Sequence, residues 1–246
     1  MNIPRKINPD NLIETIIEIR MTPNHPSELW AGMLSGRLGD LGYNYISSPA
    51  VNIRVDQNGK LALSIEQSQN KLPAGIFVKD SIRFIMQGDR LLFNCNKGGY
   101  VGWAIYEKEI YNVINAVKES GIAKDFNRVN IRYISEYVEL NIIDKIKYSI
   151  NYGNTEHQFE TKEIKLTRSD EDMKIYVSIA NNVRRKSSNK EEDVVSLFDI
   201  SVYENFIPSD SLDNLRMLLE KIHKAEKETF FGILKKEFIE TLNPEY

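Results

Sequence analysis

Cysteine is nearly absent from this chain. Cys95 stands alone among 246 residues, so an intramolecular disulfide is excluded and a reducing compartment is the natural setting. Its context, Leu91-Leu92-Phe93-Asn94-Cys95-Asn96, reads as the end of a strand, which gives the thiol a packing role. Long apolar runs are also missing: nothing approaches the roughly 20 apolar residues of a membrane span. Behind the charges of Met1-Asn2-Ile3-Pro4-Arg5-Lys6 no apolar segment follows, so no secretory signal is expected and a cytoplasmic location is. Histidine is scarce and dispersed. His25, His157 and His223 belong to no C-x-x-C or H-E-x-x-H string, so neither a metal nor a cofactor is expected. A basic excess is lacking too: Lys+Arg 32 against Asp+Glu 35 gives a net charge of −3, which weakens a duplex-DNA reading.

What is present is the composition of a globular core, 41% hydrophobic and 27% charged. Two strand-like segments carry the same signature, Ile17-Glu18-Ile19-Arg20 and Val129-Asn130-Ile131-Arg132. In each, apolar and polar residues alternate, which buries one side of a strand and presents an arginine on the other. In the first, Ile17, Ile19 and Met21 take one face and Glu14, Glu18 and Arg20 the other. After it, Ser27 is placed as the N-cap of a helix over 28–41 with Trp30, Leu34 and Leu38 in its stripe.

Two hairpins follow. One joins 51–57 to 60–67 through Asn58-Gly59, the other 82–87 to 90–96 through Gly88-Asp89. Trp103, Tyr106, Ile110, Val113, Ile114 and Val117 then recur at helical spacing, and Gly121 closes that helix. The second half opens with a strand over 128–138. Isoleucines at 142, 143, 146 and 150 predict a helix, and strands are predicted over 159–166, 173–183 and 194–203. A final helical region carries Leu212, Leu215, Leu218, Leu219 and Ile222.

The fold class is therefore α+β. Two β-α-β(3–4)-α halves, 1–125 and 126–246, are expected to form one twisted antiparallel sheet, with the long helices on one face.

Several segments together resemble a sporadically distributed family of uncharacterised bacterial and archaeal proteins. They are the N-terminal strand ending Glu18-Ile19-Arg20, the mid-chain Arg132-Tyr133-Ile134, the late Phe198-Asp199-Ile200-Ser201, and the helical pattern from His223 to Phe230. Serine replaces asparagine at Ser135 and one acid at Ser201. The resemblance implies no activity. Its patchy distribution is similar to that of accessory genes in mobile or defence loci.

Candidate binding residues come first from the sheet. Arg20 and Arg132, with Glu14 and Glu18, would share the face away from the helices, where a guanidinium pair grips phosphate or carboxylate. The plainer alternative pairs each arginine with a neighbouring Glu across strands. The basic run Arg184-Arg185-Lys186 lies between two strands, in a loop that continues to the acids Glu191-Glu192-Asp193. His223 lies near the apolar side of the last helix and reads as a core-edge residue before it reads as an acid–base catalyst. Gly98-Gly99-Tyr100-Val101-Gly102 lacks the P-loop lysine and reads as a turn that admits Trp103 to the core.

The expected function is non-catalytic recognition of a protein partner by the sheet face or the 184–190 loop, with homo-oligomers a further option. The alternatives are single-stranded nucleic-acid binding on that face, and an enzyme whose site assembles from distant residues.

Overall fold

The computed structural model describes residues 3–46, 52–55, 61–64, 75–148, 162–185, 193–209 and 211–246. Its main element is one nine-stranded antiparallel sheet, accompanied by four helices. The strands are β1 (Leu12–Pro23), β2 (Asn44–Ile46), β5 (Gly75–Lys79), β6 (Ile82–Gln87), β7 (Arg90–Asn96), β8 (Ala123–Val138), β9 (Lys162–Asp170), β10 (Met173–Arg185) and β11 (Asp193–Ser209). Their spatial order is β2-β5-β6-β7-β1-β8-β11-β10-β9, so β1 and β8 lie side by side at the centre. The short strands β3 (Asn52–Val55) and β4 (Leu61–Ser64) pair antiparallel as a separate ribbon, as the first hairpin requires. The Asn58-Gly59 turn itself lies outside the described residues, as do His157 and Lys186 to Glu192.

Alternation decides what each strand buries. Ile17 pairs with Ile131 on one side and Phe93 on the other, and Ile131 in turn with Val202; all four are fully buried. The helices α1 (Trp30–Asp40), α2 (Trp103–Glu119) and α3 (Leu212–Ile233) add Leu34, Ile110, Ile114 and Ile222 to the same cluster. Burial of this order, about 25 cal/mol per Å² of apolar surface, is what closes the chain. Between helices, Glu107 accepts two hydrogen bonds from Arg216, at 2.6 and 3.4 Å, and Trp103 donates to Glu220 at 2.8 Å. A short α4 (Lys236–Glu240) ends the chain's helical region and buries Phe238 and Ile239.

Several local expectations change. Ser27 does not cap α1: a 3-10 turn spans Ser27–Leu29 behind Pro26, and the helix begins at Trp30. The indole N–H of Trp30 donates to the His25 carbonyl, which fixes that entry. Where a helix over 141–150 is predicted, the described residues, to Tyr148, form only a 3-10 turn, Ile142–Lys145, in which the Asn141 side chain accepts from the Ile143 N–H. Ile146 then bridges to Leu234 as extended backbone. The isoleucine spacing mimicked a helix because Ile142 and Ile146 both enter the core from a tight turn. Two strands, β2 and β5, were not visible in the sequence; β5 follows Pro73-Ala74 without clear alternation. The Gly88-Asp89 turn, the acidic turn at Glu171-Asp172, and buried Cys95 and Tyr133 match expectation.

Candidate functional site

On β1 the residues that alternate with Ile17 and Ile19 are Glu14, Ile16, Glu18 and Arg20, and the pairing register extends this set across the sheet. The result is a polar face with the charged groups at its centre. Its best-defined contact is a fork: Arg132 donates from Nε to Asp199 Oδ1 at 2.9 Å and from Nη2 to Oδ2 at 2.6 Å. The Asp199 hydrogen bonds hold the Arg132 guanidinium charged, raising its pKa against the effect of burial. Beside it, Asn94 donates to Glu14 Oε1 at 2.6 Å, and Ser201 donates to Asn130 at 2.8 Å. Glu14 Oε2 is buried with no hydrogen-bond partner. Burial pushes the Glu14 carboxyl above its ordinary range, opposed by Asn94 and by the charge of Arg132.

Arg20 and Arg132 are not neighbours. Arg20 lies opposite Arg128, whereas Arg132 lies opposite Ile16, four positions along β1 and ~13 Å away. Arg20 donates to Glu18 at 3.0 Å, within its own strand. Each arginine has an acidic partner, but neither pairs with a glutamate across strands as expected: Glu18 lies in Arg20's own strand, and the cross-strand partner of Arg132 is Asp199. Instead, Arg20 belongs to another group: Arg128, Arg20 and Arg90 lie directly opposite one another on β8, β1 and β7. Asn205 and Gln87 continue this row at either end. Glu18 serves both Arg20 and Arg90, the latter at 3.3 Å, and Asp89 lies 3.9 and 3.8 Å from the same two. Arg128 instead lies over the Tyr203 ring at 4.1 Å, and its buried Nε has no hydrogen-bond partner. Tyr203 stacks with Tyr176, ring centres 5.8 Å apart, and Tyr176 is exposed.

The sequence did not single out Arg90 or Arg128. Arg90 follows a turn and Arg128 begins the string that ends in Arg132, so only the strand register could have joined them to Arg20. Of the other basic candidates, Arg184 and Arg185 do not lie in a loop as expected: they end β10 and pair by backbone with Val194 and Asp193 of β11, with Arg184 exposed. Lys186 falls outside the described residues.

The opposite side of β8 differs. His223 is buried and stacks on Trp103, with ring centres 3.9 Å apart; its Nδ1 has no hydrogen-bond partner. Tyr133 meets Tyr100, hydroxyl to hydroxyl, at 3.2 Å. Burial pushes the His223 pKa down to about 3 and the Glu226 carboxyl up to about 8. A neutral imidazole and a protonated carboxyl are what an apolar interior allows.

Among the described residues, no three His, Cys, Asp or Glu side chains gather as a metal site requires, and no helix is long and apolar enough to cross a membrane. A groove of about 460 Å³ beside α3 is lined by Asp172, Glu204, Met217 and Lys221, with Lys221 and Glu204 paired at 2.8 Å. No family model matches this chain, and no curated protein does either.

Proposed function

We propose that this chain is a non-catalytic recognition protein that holds a protein partner on the polar face of its central strands. The observation that carries the reading is the preset charge pattern of that face, with the Arg132–Asp199 fork beside the row of Arg128, Arg20 and Arg90. Charges held in fixed positions by neighbouring strands select a partner by electrostatic complementarity. Both signs are present, since Glu14, Glu18, Asp89 and Asp199 are interleaved with the arginines. Such a mixture suits a protein surface better than a uniform polyanion.

An internal duplication gives this face its pattern. In its support, Glu18 and Asn130 hold the same place in the two Ile/Val-x-Ile-Arg strings and lie directly opposite each other, as a two-fold axis through that pair requires. The order β5-β6-β7-β1 on one side is answered by β9-β10-β11-β8 on the other. The shared core cluster of α1, α2 and α3 supports an arrangement with the long helices opposite the polar face. A cytosolic accessory system, the setting that the sequence resemblance implies, is part of the same proposal.

The test is affinity purification from the native host with wild-type protein and an Arg20→Ala/Arg132→Ala double variant. A stoichiometric protein retained by the first and lost by the second is the expected result. Equal retention by a folded double variant sinks the reading. The second reading, single-stranded nucleic acid on the same face, draws on the exposed Tyr176 and on Tyr203 beneath Arg128. A raised ratio of absorbance at 260 to 280 nm in the purified protein would favour it.

A further inference from the structure

Three arginines directly opposite one another across neighbouring strands are an uneconomical way to build a sheet. Like charges in that position destabilise by a few tenths of a kcal/mol up to about 1 each. Here two carboxylates, Glu18 and Asp89, serve Arg20 and Arg90, and no ion pair to Arg128 forms among the described residues. The buried Arg128 Nε lacks a partner as well. Each guanidinium offers five N–H donors in a rigid fork, far more than these contacts use. Among the described residues, the row therefore keeps more positive charge and more donors than its partners use.

We propose that Arg128, Arg20 and Arg90 form an oxyanion site running across β8, β1 and β7, and that it takes the side-chain carboxylates of an acidic segment of the protein partner. This inference rests on the sheet-face reading and gives it a chemistry. Neighbouring strands are ~4.8 Å apart, so the row spans ~10 Å between its outer Cα positions. In an extended segment, alternate side chains recur every ~6.8 Å, which places a Glu-x-Glu pair within reach of all three long side chains.

The same surroundings argue against a phosphodiester backbone. Such a chain carries a charge at every unit and would meet Glu18 and Asp89 between the arginines, whereas a peptide can set a lysine or a neutral residue there.

The experiment uses fluorescein-labelled peptides and fluorescence anisotropy on the full chain. The probes are an alternating Glu/Thr hexapeptide, its Gln/Thr counterpart, and a short oligo-dT strand. Wild-type protein is compared with Arg90→Gln, Arg128→Gln and Arg132→Gln at ~50 mM salt and again at ~200 mM. The acidic peptide is expected to bind about tenfold or more tightly than the neutral one and to weaken with salt. Arg90→Gln and Arg128→Gln should each reduce its affinity about fivefold or more, with Arg132→Gln much less affected because Asp199 already occupies that guanidinium.

Inorganic sulfate should displace the peptide from unmutated protein, a measurement that no folding defect can confound. Equal binding of the two peptides, unchanged affinity in the row variants, or failure of sulfate to compete overturns the inference. So does oligo-dT binding that exceeds the peptide's and is lost in the same variants, which would hand the row to nucleic acid. If the acidic peptide does not bind while the Arg20→Ala/Arg132→Ala variant still loses the captured partner, the row inference fails and the sheet-face reading stands.

Discussion

The two sides of β8 carry opposite solutions to the same problem. On one side, Tyr133 packs against His223 and near Glu226, and burial favours the neutral form of all three. One residue earlier in the strand, Arg132 stays fully charged because Asp199 accepts two of its hydrogen bonds. A strand's pleat turns neighbouring residues to opposite faces, so a distance of one residue separates an apolar interior from a charged surface. Neutrality stabilises the first and pairing the second. In the proposed reading, the second holds the groups that a partner recognises.

Four measurements would break or sharpen this contrast. The largest effect belongs to the interior: Ile131→Ala should cost about 2–5 kcal/mol in urea unfolding, because a fully buried side chain leaves a cavity. A loss under about 1 kcal/mol would mean that the core side is far looser than its burial implies.

Next comes pH. Glu226 has a folded pKa raised to about 8 from 4.5, so the unfolded chain sheds its proton first and stability falls as pH rises between those values. His223, depressed to about 3 from 6.5, makes stability fall as pH drops through that window. Each slope is about 1.4 kcal/mol per pH unit, so the two cancel between 4.5 and 6.5. Thermal denaturation should therefore show a plateau there, with a decline on both sides. Glu226→Gln should abolish the decline from 6.5 toward 8 and leave the acid limb in place; an unchanged alkaline limb would remove Glu226 as its source.

Smaller still is the fork on the polar face. Arg132→Ala should cost about 1–2 kcal/mol, between the values of exposed and buried ion pairs, since Arg132 and Asp199 are only about three-quarters buried. A double-mutant cycle with Asp199→Ala should show coupling near 1 kcal/mol; additivity would mean that the fork is not formed in solution.

The smallest stability effect is expected in the arginine row. Arg90→Gln should change stability by less than about 0.5 kcal/mol, or raise it slightly, because it relieves a like-charge contact with Arg20. A loss above about 1 kcal/mol would recast the row as part of the scaffold.

Within β1 and β8, alternation announced the strands and the side each buries, and helical stripes announced α2 and α3 with Tyr106, Ile110, Leu215 and Ile222 inside. Those signals are local: each needs only a few consecutive residues. The candidate site was legible in its residue types and face, but not in its grouping. Arg20 was matched to Arg132 by sequence likeness, whereas the lateral neighbour of a strand residue is set by register. Irregularities at Arg20/Met21 and Leu12/Glu14 shift that register, and they leave no mark in a run of alternating residues. His223 was placed near the core, but its stack on Trp103 joins α3 to α2 over a long stretch of chain. Ile142 and Ile146 misled for the opposite reason: a tight turn and a helix share the same spacing over so few residues.

The position of β1 also decides how this molecule can be made. β1, which precedes the other eight strands of this sheet in chain order, ends up at its middle, between β7 and β8, and cannot be completed until residues 123–138 have been synthesised. Until then one side of β1 presents unpaired N–H and C=O groups, an open template for any passing strand. Cutting the chain near residue 121, between α2 and β8, would expose that edge and its counterpart on β8 at once. The two fragments would then be each other's best partner, so co-expression from separate messages should restore a sheet that neither builds alone.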